Sequence, residues 1–252
     1  MWNTFTVSVV LPAYNEQDSV RDAVDAFLAT GFIDEVLVVD NNSSDRTAEE
    51  VEKTRARLVR EPLQGYGAAL TRGLAEARGD YVILSEPDGT FSADDVVKLL
   101  AYARDFDMVC GTRTTRELIW AEANMGWFLR LGNMAVAKMI ELLFNTCSLS
   151  DCGCTLRLVR REALARFQSQ LSVRGSHFLP EMLILARMQR LRIIEVPVNY
   201  RSRRGVSKIT GSLKGTLKTG FAMISLVVRY RLLGPSKPPA QAAAAFEDAR
   251  KK

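Results

Sequence analysis

Asp80-Tyr81-Val82-Ile83-Leu84-Ser85-Glu86-Pro87-Asp88-Gly89 is the stretch on which the reading of this fold turns. Residues 81–84 are an apolar run of strand length, and two carboxylates follow, Glu86 and Asp88, one residue apart. Side chains at i and i+2 share a side of an extended segment, so both acids can face one point just past the strand. In an open α/β sheet that carboxyl end is where ligands bind. Acids presented there suit a hard divalent cation carrying phosphates, because such an ion takes one or two protein carboxylates and leaves its other positions to phosphate and water. Pro-Asp-Gly is also sound turn chemistry with no ligand at all, so the neighbouring segments must decide.

Working outward, residues 7–11, 35–39, 57–59 and 108–110 read as further strands. Between them, helical spacing predicts helices over 17–30, 45–55, 67–78 and 92–103, with Gly31 and Gly79 as stops and Ser44 and Ser92 as caps. This alternation predicts an α/β fold, a mostly parallel sheet with helices on both faces. Beyond Thr112 the pattern changes. Residues 118–144 are long and rich in Trp, Phe, Met and Leu, interrupted by Gly126 and Gly132. Then come a strand over 155–159, helices over 161–167 and 179–189, a strand over 193–198, a basic loop and a helix over about 211–233. The expected organisation is one domain, 1–233, with a nucleotide-binding half at about 1–112 and an acceptor half at about 113–233. Residues 234–252 read as a flexible, low-complexity tail.

With 252 residues, 47% hydrophobic and 25% charged, the chain has the composition of an ordinary globular protein with a sizeable core. Four cysteines, Cys110, Cys147, Cys152 and Cys154, do not make a zinc pattern: Cys152-Gly153-Cys154 is too close for a typical pair and has no matching second pair. Reduced thiols in a cytosolic protein fit better, and the first residues carry no signal-peptide pattern. The net charge is +5. Six cations, Arg201, Arg203, Arg204, Lys208, Lys214 and Lys218, stand in 201–218 without one acid. Phosphate, a membrane surface or nucleic acid would each suit that stretch, and so would a plain solvated face. No nucleic-acid-binding motif accompanies it, and the acidic loops argue against such a partner. The apolar run in the last helix is too short for the roughly 17–25 residues of a bilayer span. Leu213, Leu217, Phe221, Ile224 and Val228 share one face bordered by Lys214, Lys218, Arg229 and Arg231. Such a helix either lies in a membrane interface or packs on the domain.

Four polar segments follow the four N-terminal strands: Pro12-Ala-Tyr-Asn-Glu16, Asp40-Asn-Asn-Ser-Ser-Asp45, Gln64-Gly-Tyr-Gly67 and the Glu86/Asp88 pair. The short polar side chains of the second can bond a base or ribose, and the glycines of the third let backbone approach a ligand closely. Together they call for a nucleotide.

Taken with these segments, the chain resembles the family-2 glycosyltransferases with a GT-A fold. The resemblance is carried by Val7-Ser-Val-Val-Leu-Pro-Ala-Tyr-Asn-Glu16, Val38-Val-Asp-Asn-Asn-Ser-Ser-Asp-Arg-Thr47 and Asp80 to Asp88. It looks most like the branch of dolichol-phosphate mannose synthase and polyprenyl-phosphate glycosyltransferases, on Asp151-Cys-Gly-Cys-Thr-Leu-Arg157, Ile194-Glu-Val-Pro-Val-Asn-Tyr-Arg201 and Arg203-Arg-Gly-Val-Ser-Lys208. The resemblance implies inverting transfer of a sugar from a UDP- or GDP-sugar to a polyprenyl-phosphate acceptor, at the cytoplasmic face of a membrane with peripheral contact. It implies that Pro12, Ala13, Tyr14, Glu16 and Asp40 hold base and ribose, with Gly67 alongside. It also implies that Asp88, with Glu86, binds Mg²⁺ or Mn²⁺, that Arg203 and Lys208 neutralise the diphosphate, and that Arg113 and Arg130 take the acceptor phosphate. Glu86 stands where the family pattern has Asp. Asp151 is implied to orient the acceptor or assist a proton; as a bare residue it reads as a loop cap. His177 and Glu181 read equally as helix-start residues or as groups near the sugar. Two other functions stay open: a family-2 transferase using a hydroxyl acceptor, with Asp151 or Glu181 as base, and a nucleotide-sugar-binding protein without turnover.

Overall fold

The computed structural model describes residues 2–120, 127–203 and 213–235. Seven strands form one sheet: β1 (Val7–Ala13), β2 (Glu35–Asp40), β3 (Arg57–Arg60), β4 (Tyr81–Leu84), β5 (Met108–Thr112), β6 (Arg157–Arg160) and β7 (Ile193–Pro197). Their order across the sheet is β3-β2-β1-β4-β6-β5-β7. All pairings are parallel except those of β6, which runs against both β4 and β5. The expected mostly parallel α/β sheet is therefore present, with one reversed strand in its middle.

Alternation along β1 builds both cores. Val7, Val9 and Leu11 point into a cluster with α1 (Val20–Ala29), α2 (Thr47–Glu52) and α4 (Val96–Tyr102). Val10 points the other way, to α3 (Tyr66–Glu76), α5 (Trp127–Phe144), α6 (Arg161–Ala165), α7 (Phe178–Met188) and α8 (Leu213–Leu233). Gly73 makes this packing possible, since a Cβ there would stand 2.2 Å from a Val10 methyl carbon.

Several helices start later than spacing predicts, because polar side chains in the loops bond each other instead. α1 begins at Val20, after a turn in which Glu16 O accepts from Ser19 and Val20. α2 is not capped by Ser44, whose amide and hydroxyl both donate to Asn15 Oδ1; Asp45 Oδ1 takes the Thr47 amide at 2.9 Å. Ser92 gives no side-chain cap either, and a 3-10 turn over Ala93–Asp95 precedes α4. Gly132 lies inside α5 rather than interrupting it. Gly126, Arg204, Lys208 and the tail from residue 236 lie outside the described residues. The four cysteines are free thiols.

Candidate active site

Because β1, β2 and β4 are parallel and adjacent, their carboxyl ends put three predicted segments side by side. Pro12 and Ala13 end β1 opposite Val39 and Asp40 of β2, and Tyr14 follows, exposed. The loops are stitched together: Asn41 N donates to Ala13 O (2.9 Å), Asn15 N to Ser43 Oγ (3.0 Å) and Glu16 N to Thr47 Oγ1 (2.8 Å). Asp40 is buried, and its Oδ1 accepts from Ser43 N at 3.1 Å. Asn41, which sequence reasoning did not single out, ties in the third segment by donating to Glu61 O and Leu63 O and accepting from Gly65 N.

Gly67 packs against main chain. Its amide donates to Arg174 O at 2.8 Å, and a Cβ on it would lie 2.3 Å from Val173 O. The close approach that this glycine permits is made by the protein's own main chain.

At the end of β4, Asp88 is 1% exposed. Its Oδ1 is held by Thr90, through the amide at 3.0 Å and the hydroxyl at 2.6 Å. Its Oδ2 has no hydrogen bond. Arg203 Nε stands 3.2 Å away as an ion pair, but it is not aligned to donate and is itself without a hydrogen-bond partner. The same guanidinium gives Nη2 to Glu16 Oε1 at 2.8 Å. Burial, reinforced by Asp88, raises the pKa of Glu16 although Arg203 pulls it down. Glu86 turns toward the sheet centre, where its Oε1 accepts from Thr155 Oγ1 (2.6 Å) and Tyr66 OH (3.2 Å). Burial first, and the neighbouring Asp88 charge second, push its carboxyl up to about 7.

Arg203 is delivered by a strap. Tyr200 bonds Leu118 O and takes the Trp120 amide, Arg201 N donates to Thr90 O, and Arg201 lies over the Trp120 ring at 4.6 Å. Asn199 is pinned to Asp95 by its amide and its side chain. Tyr200 in turn packs at a tilt against Phe91 and lies under Arg113.

Asp151 has a different environment. It is 0% exposed, and it accepts from Arg113 Nε (2.7 Å), Arg113 Nη2 (2.9 Å), the Arg113 amide, the Gly153 amide and Asn133 Nδ2. Burial alone would raise its pKa, but the Arg113 charge and these donors outweigh it and the pKa is lowered. Arg113, expected to face an acceptor phosphate, is thus committed to a bidentate pair. Arg130 donates to Thr114 O at 2.5 Å, on the same loop. Thr112, Thr114 and Ser150 bond one another through their hydroxyls, and Glu195 on β7 clamps Ser150 and the Asp151 amide. An acid in the apolar run Ile194-Glu195-Val196 was the available sign of that clamp; Asn133 gave none.

Glu181 is likewise fully buried and fully used, accepting from the Ser172 amide and hydroxyl, the Val173 amide and Tyr230 OH. His177 precedes α7, and burial lowers its pKa.

A family model described as glycosyl transferase family 2 matches residues 8–167. This chain belongs to glycosyl transferase family 2. The transferase is 35% identical over 216 residues to an uncharacterised glycosyltransferase of Mycobacterium tuberculosis (strain ATCC 25618 / H37Rv), which spans 84% of this chain and 93% of that one. It is 28% identical over 228 residues to a dolichyl-phosphate hexose transferase of Haloferax volcanii, spanning 90% and 96%. Glucosyl-3-phosphoglycerate synthase from Mycobacterium tuberculosis, solved with Mn²⁺, uridine diphosphate and glucosyl-3-phosphoglycerate, matches with a TM-score of 0.68 and 19% identity over 92% of this chain and 82% of its own. That likeness carries the GT-A fold. The family and its relatives support a glycosyltransferase that uses a nucleotide sugar.

Proposed function

We propose that this transferase moves a sugar from a UDP- or GDP-sugar to a polyprenyl-phosphate-type acceptor with inversion, aided by Mg²⁺ or Mn²⁺. The observation that carries the reading is the buried Asp88 carboxylate, whose Oδ2 has no hydrogen bond at the carboxyl edge of the sheet. A buried carboxylate oxygen that has no hydrogen bond and is balanced by the Arg203 ion pair at 3.2 Å is a position that a bound cation can complete. An ion held there would take one or two protein carboxylates and its other ligands from phosphate and water. Asp88 and, beyond it, Glu86 would hold the ion, which when bound offsets charge on the leaving diphosphate.

The chain's own groups do the rest. Pro12, Ala13, Tyr14, Glu16 and Asp40 line the shelf offered to base and ribose. Arg203 exchanges its contacts with Glu16 and Asp88 for the diphosphate and stabilises the charge that grows there. Lys208, outside the described residues, is assigned the same role. A phosphate monoester is already largely anionic near neutrality, since its second pKa is about 6, so the acceptor oxygen needs no base. This suits Asp151 and Glu181, whose oxygens are buried and occupied by donors. Asp151 holds Arg113 in a bidentate pair that shapes the corner, which leaves Arg130, bonded among the described residues only to a neutral carbonyl, as the cation assigned to the acceptor phosphate. The name of the Haloferax relative supports a dolichyl-phosphate-type acceptor. A lipid-borne acceptor brings the enzyme to the cytoplasmic face of a membrane as a peripheral protein; no described helix is long and apolar enough to cross one.

The test is transfer by purified protein with Mn²⁺ and a panel of UDP- and GDP-sugars to a short polyprenyl phosphate, the matching free alcohol and phosphoglyceric acid. Product on the polyprenyl phosphate alone is expected. Product on the alcohol but not the phosphate overturns the acceptor class, and product on phosphoglyceric acid alone moves it to a small phosphorylated acid.

A further inference from the structure

α8 is apolar on two sides, and only one of them is covered. Leu226, Val227 and Tyr230 are buried in the core shared with α5 and α7, and Tyr230 OH donates to Glu181 at 2.5 Å. Leu217, Phe221, Ile224, Val228 and Leu232 are exposed, with Phe221 at 79% and Leu232 at 74%. At about 100° per residue these five fall within an arc of roughly 80°, across the helix from the buried set. A helix of a globular protein normally turns its polar side outward, and an exposed continuous apolar stripe marks a surface that meets a partner.

Charge selects the partner. Lys218 and Arg229 border the stripe on one side and Arg231 on the other, and the sequence from 213 to 233 contains no acid. A second copy docked through this face would set cations against cations. An anionic bilayer surface offers the opposite charge together with an apolar interior for Phe221 and Leu232, while long basic side chains reach up to the headgroups. We infer that the outer face of α8 lies in the surface of a bilayer containing anionic lipid, with the helix parallel to the membrane plane. Such docking, which rests on the lipid-phosphate reading for its purpose, is relayed toward Arg130 because α8 packs on α5, the helix that carries it. At its other end Thr219 Oγ1 lies 3.2 Å from Ser176 Oγ, in the loop whose Arg174 backs Gly67.

The experiment is co-sedimentation of the full chain with vesicles of phosphatidylcholine alone and of phosphatidylcholine mixed with phosphatidylglycerol, at low and high salt. Wild type should pellet with the anionic vesicles at low salt and be released by salt. Phe221→Glu and, separately, Leu232→Glu should each weaken that binding roughly tenfold or more, with unchanged melting temperature. Both variants should match wild type on a water-soluble short polyprenyl phosphate and fall behind on a long-chain acceptor held in vesicles. Equal pelleting of wild type and both variants, or none by any, overturns the inference. So does a wild-type dimer that Phe221→Glu splits, which makes a second copy the occupant. Vesicle binding seen solely after removal of residues 236–252 makes the tail the occupant and overturns it too. If neither acceptor is glycosylated, the acceptor reading fails while the sedimentation result still decides the docking face.

Discussion

Two buried aspartates, Asp88 and Asp151, define two corners of the molecule that look alike in sequence and differ in what they lack. Asp88 has one oxygen fixed by Thr90 and one with no hydrogen bond. Asp151 has both oxygens filled by Arg113, Gly153 and Asn133. Burial is shared, so burial does not separate the two corners. The state of satisfaction does: on the proposed reading the Asp88 oxygen held only by the Arg203 ion pair is the one open to a ligand, whereas the fully bonded Asp151 orients its neighbours.

The largest contrast should come from Asp88→Asn. Turnover is expected to fall roughly a hundredfold or more, with metal-dependent nucleotide binding lost, while the urea midpoint holds or rises because a buried anion beside Glu86 has gone. Undiminished binding would erase the distinction between the corners. Asp151→Ala should do the reverse on stability. Removing it leaves the mostly buried Arg113 guanidinium without its carboxylate and with the Tyr200 ring as its remaining charge contact, a loss toward the lower end of about 3–5 kcal/mol in urea denaturation. Replacing both partners by apolar residues should recover much of that loss. A stable, inactive Asp151→Ala protein would instead make Asp151 a participant in the chemistry.

Arg203→Ala sharpens the comparison at the donor corner. Without the guanidinium at 3.2 Å, titration with Mn²⁺ alone should show tighter binding, because a competing cation has been removed. Affinity for the nucleotide sugar should weaken roughly tenfold. Two changes of the same sign would mean that Arg203 does not exchange partners.

The smallest effect concerns pH. Glu86 holds its proton more tightly when folded, at about 7 against an ordinary 4.5. Its contribution to stability is therefore complete below 4.5 and is lost as the pH rises through about 7. Glu86→Gln cannot lose it, so its melting temperature should gain on that of wild type between about pH 5 and about pH 8. A constant difference across that range would mean that burial and the Asp88 charge do not make Glu86 hold its proton more tightly when folded.

The placement of the corner we propose for the donor was legible in the sequence because its residues sit in short segments directly after strands, where strand order and side-chain alternation put them. Asp40, Glu86 and Asp88 needed no long-range information. The acceptor corner was not, because its partners come from distant elements: Asn133 from α5, Arg113 after β5 and Glu195 from β7. A lone arginine in sequence carries no sign that its charge is already taken. Gly67 illustrates the same limit: the sequence announces a close approach, but only the fold tells that Val173 and Arg174 make it. In α8 four of the five residues expected on one face, Leu217, Phe221, Ile224 and Val228, form one exposed stripe, the Leu213 side chain lying outside the described residues, yet periodicity cannot say which of two apolar sides turns inward.

The reversed strand has a consequence for anyone recombining such enzymes. β6 pairs with β4 in the register Leu84 to Arg157, which carries Thr155 back to Glu86. A chimera joined at residue 112 would therefore exchange more than an acceptor module. It would replace a central strand of the host sheet and the hydroxyl that seats a carboxylate of the donor corner, so working hybrids should be sought by grafting 113–150 as an insert while keeping 151–160 native.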